Sequence, residues 1–79
     1  MSRLRQVSGA EVVRRLQSLG YTFLRQRGSH ARYALTTPVG THNITVPMHS
    51  VAAKGTLNDI LNEVSLWVGV AKEDLIKRL

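Results

Sequence analysis

The sequence predicts an α+β fold in which three antiparallel strands lie between two helices, with a short third helix at the end. Apolar residues repeat with helical spacing in the first and last thirds of the chain, and they alternate in short segments in the middle. Turn-forming residues separate those middle segments, which indicates an antiparallel meander. We expect a single domain over residues 1–79, with both main helices on one face of the sheet and water on the other.

The first helix is predicted to begin after Ser8 and to end at Gly20. Ser8 and Glu11 have the spacing of a capping box, in which each side chain bonds the backbone N–H of the other residue. Gly20 stands where helices commonly end in a left-handed residue. The apolar stripe of this helix consists of Val12, Val13, Leu16 and Leu19.

Three short strands are predicted between residues 21 and 47. Tyr21–Arg27 alternates with period two, Gly28–Ser29 turns the chain, and Ala31–Thr36 returns it. Asn43–Pro47 forms the third strand, which ends at a proline that cannot donate to a ladder.

The alternation of side chains also predicts which face of the sheet each residue occupies. Tyr33 and Leu35 share one phase of the second strand and should face the helices, as should Ile44 in the third strand. His30 and Arg32 alternate with them and should therefore face the open side, provided that no bulge lies near the turn.

A second helix is predicted to be capped by Thr56, with an apolar stripe that runs to Val64. The sequence does not fix where this helix ends, because Ser65–Val68 could extend it as far as a break at Gly69. Ala71–Leu79 is predicted to form the third helix.

The composition favours a polyanionic partner. Eleven Lys and Arg residues against five Asp and Glu residues give a formal net charge of +6. This charge favours nucleic acid first and an acidic protein second, and the alternative is a surface that only keeps the protein soluble. The absence of cysteine excludes disulfides and thiolate zinc sites and is compatible with the cytoplasmic location that we expect. No segment approaches the ~20 apolar residues of a membrane span, so no membrane role is expected.

Gly28-Ser29-His30 is the strongest candidate for chemistry. A histidine can take or give a proton near neutral pH, and neighbouring arginines can hold a phosphate without titrating. General-base removal of a ribose 2′-hydroxyl proton would let that oxygen attack its own 3′-phosphate without a metal ion. The alternative is an exposed histidine that bonds its own turn. The arginines around His30 are Arg25, Arg27 and Arg32.

Two further positions could assist this chemistry. Lys54 opens the second helix, where free N–H groups suit a phosphate, although it could simply be solvated. His49 could be a complementary acid or an ordinary loop histidine, and no role is expected for His42. The carboxylates do not converge and the histidines lack metal-ligand spacing, so neither a metal nor another cofactor is expected.

The segment Arg25–Tyr33 resembles the glycine-serine-histidine signature of HicA toxins, small ribonucleases of bacterial and archaeal toxin–antitoxin pairs. Val46–Pro47, His49 and Lys54–Leu57, followed by Ile60–Leu61, are similar to the second half of that family. The residues that fit its opening are Ser8–Gly9, Glu11–Val12 and Leu16, with Gly20–Tyr21 after the helix. The similarity covers roughly residues 7 to 64. The segment from residue 65 to residue 69 departs from the family's usual connection between helices.

This resemblance implies a double-stranded-RNA-binding-domain-like fold and metal-independent endoribonuclease cleavage of messenger RNA. It also implies neutralisation by a HicB-type antitoxin, which we expect to cover the His30 face. By the family pattern His30 is the catalytic histidine, with His49 and Lys54 as candidates for the second acid–base group. The competing hypotheses are a non-catalytic double-stranded-RNA-binding module and a protein that only binds an acidic partner. The expected substrate-binding residues are Gly28, Ser29, Arg25, Arg27, Arg32, Lys54 and His49.

Overall fold

A computed structural model, which describes residues 7–49 and 54–79, confirms the predicted α+β architecture. The three strands form one antiparallel sheet in the order β1-β2-β3. None of the described helices is both long and apolar enough to cross a membrane. The elements follow one another as α1 (Gly9–Ser18), β1 (Thr22–Arg27), β2 (His30–Thr37), β3 (Gly40–Pro47), α2 (Lys54–Val68) and α3 (Lys72–Lys77).

Helix α1 begins and ends as predicted. The Ser8 hydroxyl accepts a hydrogen bond from the backbone N–H of Glu11, and the Glu11 carboxylate accepts one from the backbone N–H of Ser8, both at 3.1 Å. The helix ends at Leu19, and Gly20 follows with a φ of +106°, the left-handed conformation that glycine adopts without strain. The two ends of this helix therefore follow from local chemistry alone.

The core lies between the helices and one face of the sheet. Alternate residues of β2 and β3 are buried, and the residues between them are more exposed, as the period-two pattern predicts. The helices cover this face with apolar side chains that are also almost inaccessible to solvent. Within these elements the buried apolar residues are Val12 and Leu16 of α1, Ala31, Tyr33, Ile44 and Val46 of the sheet, Leu57, Ile60, Leu61 and Val64 of α2, and Leu75 of α3.

Helix α2 begins earlier than predicted, and the structure shows where it ends. It begins at Lys54, so Thr56 lies inside the first turn and is not the cap. A threonine followed by an acidic residue is a local signature, and it does not mark the helix start when the residues before it also adopt helical geometry. The helix continues through Trp67 and Val68, and Gly69 ends it with a φ of +71°.

A polar cluster centred on the buried His42 lies where the second half of α2 meets the sheet. His42 is 5% exposed, and its Nδ1 and Nε2 atoms lie 2.7 Å from the Tyr21 hydroxyl and 3.2 Å from a Glu63 carboxylate oxygen. Since a carboxylate only accepts, Nε2–H donates to Glu63, and in the neutral imidazole Nδ1 accepts from the Tyr21 hydroxyl. Trp67 stacks on the imidazole at a centroid distance of 5.0 Å. From the sequence no role is expected for His42, whereas the structure gives it this structural role.

The cluster should make stability fall at alkaline pH. Burial, together with the Glu63 carboxylate, raises the pKa of Tyr21 to about 12 from an ordinary value of 10.0. Because the unfolded chain loses this proton first, the stabilisation is complete below about pH 10 and is lost as the pH rises towards 12. The full loss is about 3 kcal/mol.

Urea unfolding of the parent protein and of Tyr21→Phe between about pH 9 and pH 12 measures this loss. The phenylalanine variant lacks the hydroxyl and should lose less stability over that range. If the free energy of unfolding fell equally with pH in the two proteins, the stabilisation could not be assigned to the Tyr21 hydroxyl.

Candidate functional site

The site begins at the two-residue turn between β1 and β2. Gly28 and Ser29 are the only residues between Arg27 and His30, which pair with each other across the hairpin. Gly28 has a φ of +58°, and a Cβ built on it would meet nothing within 4 Å. The glycine is therefore required by the backbone conformation, since two-residue hairpins of this kind need a positive φ at their first position.

Two hydrogen bonds hold the turn in place. The side-chain amide of Gln26 donates to the Gly28 carbonyl at 2.9 Å. The backbone N–H of Met48, just after β3, donates to the Ser29 carbonyl at 2.7 Å. The backbone leading into His30 is thus tied to β1 on one side and to the end of β3 on the other.

The pairing of the strands gathers the basic residues on the open face of the sheet. Arg27 and Pro47 lie opposite His30, and Arg25 and Thr45 lie opposite Arg32. Residues that are directly opposite in an antiparallel sheet project to the same face. A shallow concavity results, which is lined by Arg25, Arg27, His30, Arg32 and Thr45.

A bulge in β1 is what brings Arg25 to this face. The register of β1 against β2 shifts between Phe23 and Arg25. Phe23 lies opposite the buried Tyr33, with their rings in edge contact at 5.6 Å, whereas Arg25 lies on the opposite face. The inserted Leu24 switches the phase of the strand, as bulges do. The sequence alternation alone placed Phe23 and Arg25 in the same phase.

The acidic residues of the protein are confined to the helices, whereas basic residues lie in both the helices and the sheet. All five acidic residues lie in α1, α2 or α3, on the side of the sheet away from the concavity. Within the described residues, no carboxylate or other group forms a hydrogen bond or ion pair with the guanidinium groups of Arg25, Arg27 and Arg32. These guanidinium groups are therefore available to a phosphate, whose oxygens they match in geometry.

His30 is exposed to solvent at the edge of this basic group. Its imidazole makes no hydrogen bond or ring contact with any residue in the ranges 7–49 and 54–79. An imidazole in water beside guanidinium groups can take a proton from a hydroxyl that attacks a bound phosphodiester or give one to the oxygen that leaves it, while the guanidinium groups stabilise the charge that develops.

The remaining predicted site residues are not among those lining the concavity. His49 is exposed and follows Met48, so it lies at the same end of the sheet as the turn. Lys54 is the first residue of α2, and the position of its side chain lies outside the described residues. Their contacts with substrate stay predictions, as do those of Gly28 and Ser29. In the described part of the chain, no three His, Asp or Glu side chains are grouped as metal ligands would be.

Thr45 is the one lining residue that the sequence reasoning did not select. Thr45 lies between Ile44 and Val46 in β3, and both of these neighbours face the core. The same period-two argument that placed His30 on the open face would have placed Thr45 there too.

A comparison with protein families connects this geometry to a known group. Residues 9–66 match the family model described as the HicA toxin of bacterial toxin–antitoxin systems. The matched region includes α1, the whole sheet and most of α2, and it contains every residue of the concavity. No curated protein and no solved structure matches the chain.

The backbone requirement at Gly28 predicts opposite effects for two glycine-to-alanine changes. Gly28→Ala places a Cβ on a residue with positive φ and should lower the free energy of unfolding by roughly 1–2 kcal/mol. Gly55→Ala is the matched control, because Gly55 is exposed within α2 and is also open around the added Cβ. It should raise stability by roughly 0.5 kcal/mol through better helix propensity. Thermal unfolding of both variants measures the difference, and an equal response would show that the turn does not need a glycine.

Proposed function

Because the chain belongs to the HicA toxin family of toxin–antitoxin systems, we propose that it is a metal-independent endoribonuclease that cleaves messenger RNA. The observation that carries this proposal is the exposed His30 imidazole beside three arginines that have no described ion-pair partner. A surface that only binds phosphate needs no titratable group among its fixed cations. We further propose that residues 1–79 form one domain that acts in the cytoplasm.

The proposed reaction uses the 2′-hydroxyl of RNA as the nucleophile. His30 takes the proton of that hydroxyl as a general base, and the oxygen attacks the adjacent phosphorus. The bond from phosphorus to the 5′-oxygen breaks, which leaves a 2′,3′-cyclic phosphate on one product and a 5′-hydroxyl on the other. The leaving oxygen takes a proton from a general acid, for which His49 and Lys54 are the candidates.

The arginines have a separate role in this proposal. The phosphate carries additional negative charge while both oxygens are partly bonded to phosphorus. Arg25, Arg27 and Arg32 line the same concavity as His30, and in this proposal their guanidinium groups stabilise that charge. Gly28 and Ser29 contribute by holding His30 at the end of the hairpin.

We also propose that a HicB-type antitoxin silences the protein by covering the His30 face. The concavity is small and shallow, so a single docked segment suffices to exclude RNA from it. Since the arginines of the concavity have no ion-pair partner among residues 7–49 and 54–79, the covering segment should carry acidic groups that replace the phosphates of RNA.

The first test of the proposed function is the variant His30→Ala. It should keep the circular dichroism spectrum and unfolding temperature of the parent, because the side chain is exposed. Its rate of RNA cleavage should fall by roughly 10²- to 10⁴-fold. The assay follows a synthetic RNA in the presence of a chelator, and mass spectrometry identifies the ends of the products.

Three outcomes would count against this function. A His30→Ala variant that cuts RNA at the parental rate would show that His30 is not catalytic. Products without a 2′,3′-cyclic phosphate would contradict attack by the 2′-hydroxyl. RNA that the parent protein binds and leaves intact would indicate a non-catalytic RNA-binding module instead.

The proposed antitoxin interface is tested by reversing charges on two faces. Arg27→Glu changes a cation of the concavity, and Arg14→Glu changes an exposed cation of α1. Arg27→Glu should weaken binding of the HicB-type antitoxin by at least roughly tenfold, and Arg14→Glu should leave it within a factor of about two. Isothermal titration calorimetry measures both affinities. Equal affinities for the two variants would contradict direct occlusion of the His30 face.

A further inference from the structure

The concavity at His30 has two chemically different walls. Strands β1 and β2 provide the charged wall, which consists of the imidazole and the three guanidinium groups. Strand β3 provides only neutral side chains on this face: Thr45 lies opposite Arg32, and Asn43 follows on the same face opposite Ala34. The face is therefore cationic on one side and neutral and hydrogen-bonding on the other.

This division matches the two parts of a nucleotide. A phosphate is attracted to the charged wall, where guanidinium groups can bind it whichever base it carries. Neighbouring strands lie about 4.8 Å apart, so β3 is within reach of the base and ribose that are attached to that phosphate. A threonine hydroxyl both donates and accepts hydrogen bonds, which suits the edge of a base.

The Thr45 hydroxyl makes no hydrogen bond in the described part of the chain and could form such a contact. Thr22 and Thr37 of the same sheet donate their hydroxyls to the carbonyls of Ala34 and Gly40. Thr45 is exposed, and its hydroxyl has no hydrogen-bond partner within the described residues. Thr45 also lines the concavity.

We infer that Thr45 contacts the base of a nucleotide beside the scissile phosphate and so influences which RNA sequences are cut. This inference rests on the proposed function, since it needs a phosphodiester held at His30. It assigns the choice of sequence to β3 and the binding of phosphate to β1 and β2.

Thr41 provides a matched control for the test. It is also an exposed threonine of the same strand and on the same face, but it lies opposite Thr36 and does not line the concavity. It precedes Thr45 by four positions, which corresponds to about 13 Å along a strand. Valine replaces threonine with nearly the same shape and a high β-propensity, so both Thr45→Val and Thr41→Val should fold.

The experiment compares cleavage of a synthetic RNA pool with randomised sequence by the parent, Thr45→Val, Thr45→Ser and Thr41→Val. Sequencing of the products gives the preference at each position around the cut. Thr45→Val should flatten the preference at one position beside the cut and reduce kcat/KM at favoured sites by roughly two- to tenfold. Thr45→Ser keeps the hydroxyl and should restore both, and Thr41→Val should match the parent.

A second measurement uses binding alone. In the His30→Ala background the RNA stays intact, and fluorescence anisotropy gives its Kd. Adding Thr45→Val should weaken binding of a favoured sequence and leave a disfavoured one unchanged, while Thr41→Val should change neither.

The outcomes separate this inference from the proposed function. Cleavage that depends on His30 but shows the parental preference and rate in Thr45→Val would overturn the inference and leave the function standing. Equal effects of Thr45→Val and Thr41→Val would overturn it as well, because a general effect of the strand would explain both. Cleavage that does not depend on His30 would overturn the function and the inference together.

Discussion

The register of β2 against its two neighbouring strands is the constraint on which the rest of the structure depends. Because side chains alternate across a strand, a shift of one residue would turn His30 and Arg32 into the core and expose Tyr33. The two-residue turn at Gly28–Ser29 sets this register on the β1 side. The bond from the Met48 N–H to the Ser29 carbonyl holds it on the β3 side. The site is thus a consequence of strand pairing, and it needs no special scaffold.

The placement of the acidic residues follows from the same layered arrangement. One face of the sheet packs against the core, and the helices that cover it carry all the acidic residues. The other face carries arginines that no described carboxylate neutralises. Three arginines therefore lie where a polyanion can approach His30, with no described carboxylate beside them to offset their charge.

The polar cluster around His42 shows how α2 is placed relative to this sheet. Tyr21 precedes β1, His42 lies in β3 and Glu63 lies in α2, so their hydrogen bonds join three parts of the chain. Trp67, one position beyond the region matched by the family, packs on the imidazole. Most of the segment that departs from the family's usual connection, residues 65–68, thus belongs to α2. Trp67 of this segment contacts the buried His42.

The sequence by itself determined the elements whose causes are local. The capping box of α1, the turn at Gly28 and the alternation of β2 and β3 each act over a few residues, and each was predicted correctly, together with the exposure of His30. The tertiary structure alone decided the bulge at Leu24, which moves Arg25 to the open face, and the partners of His42, which lie 21 residues away in either direction. Such features depend on packing between distant segments, and no short pattern in the chain encodes them.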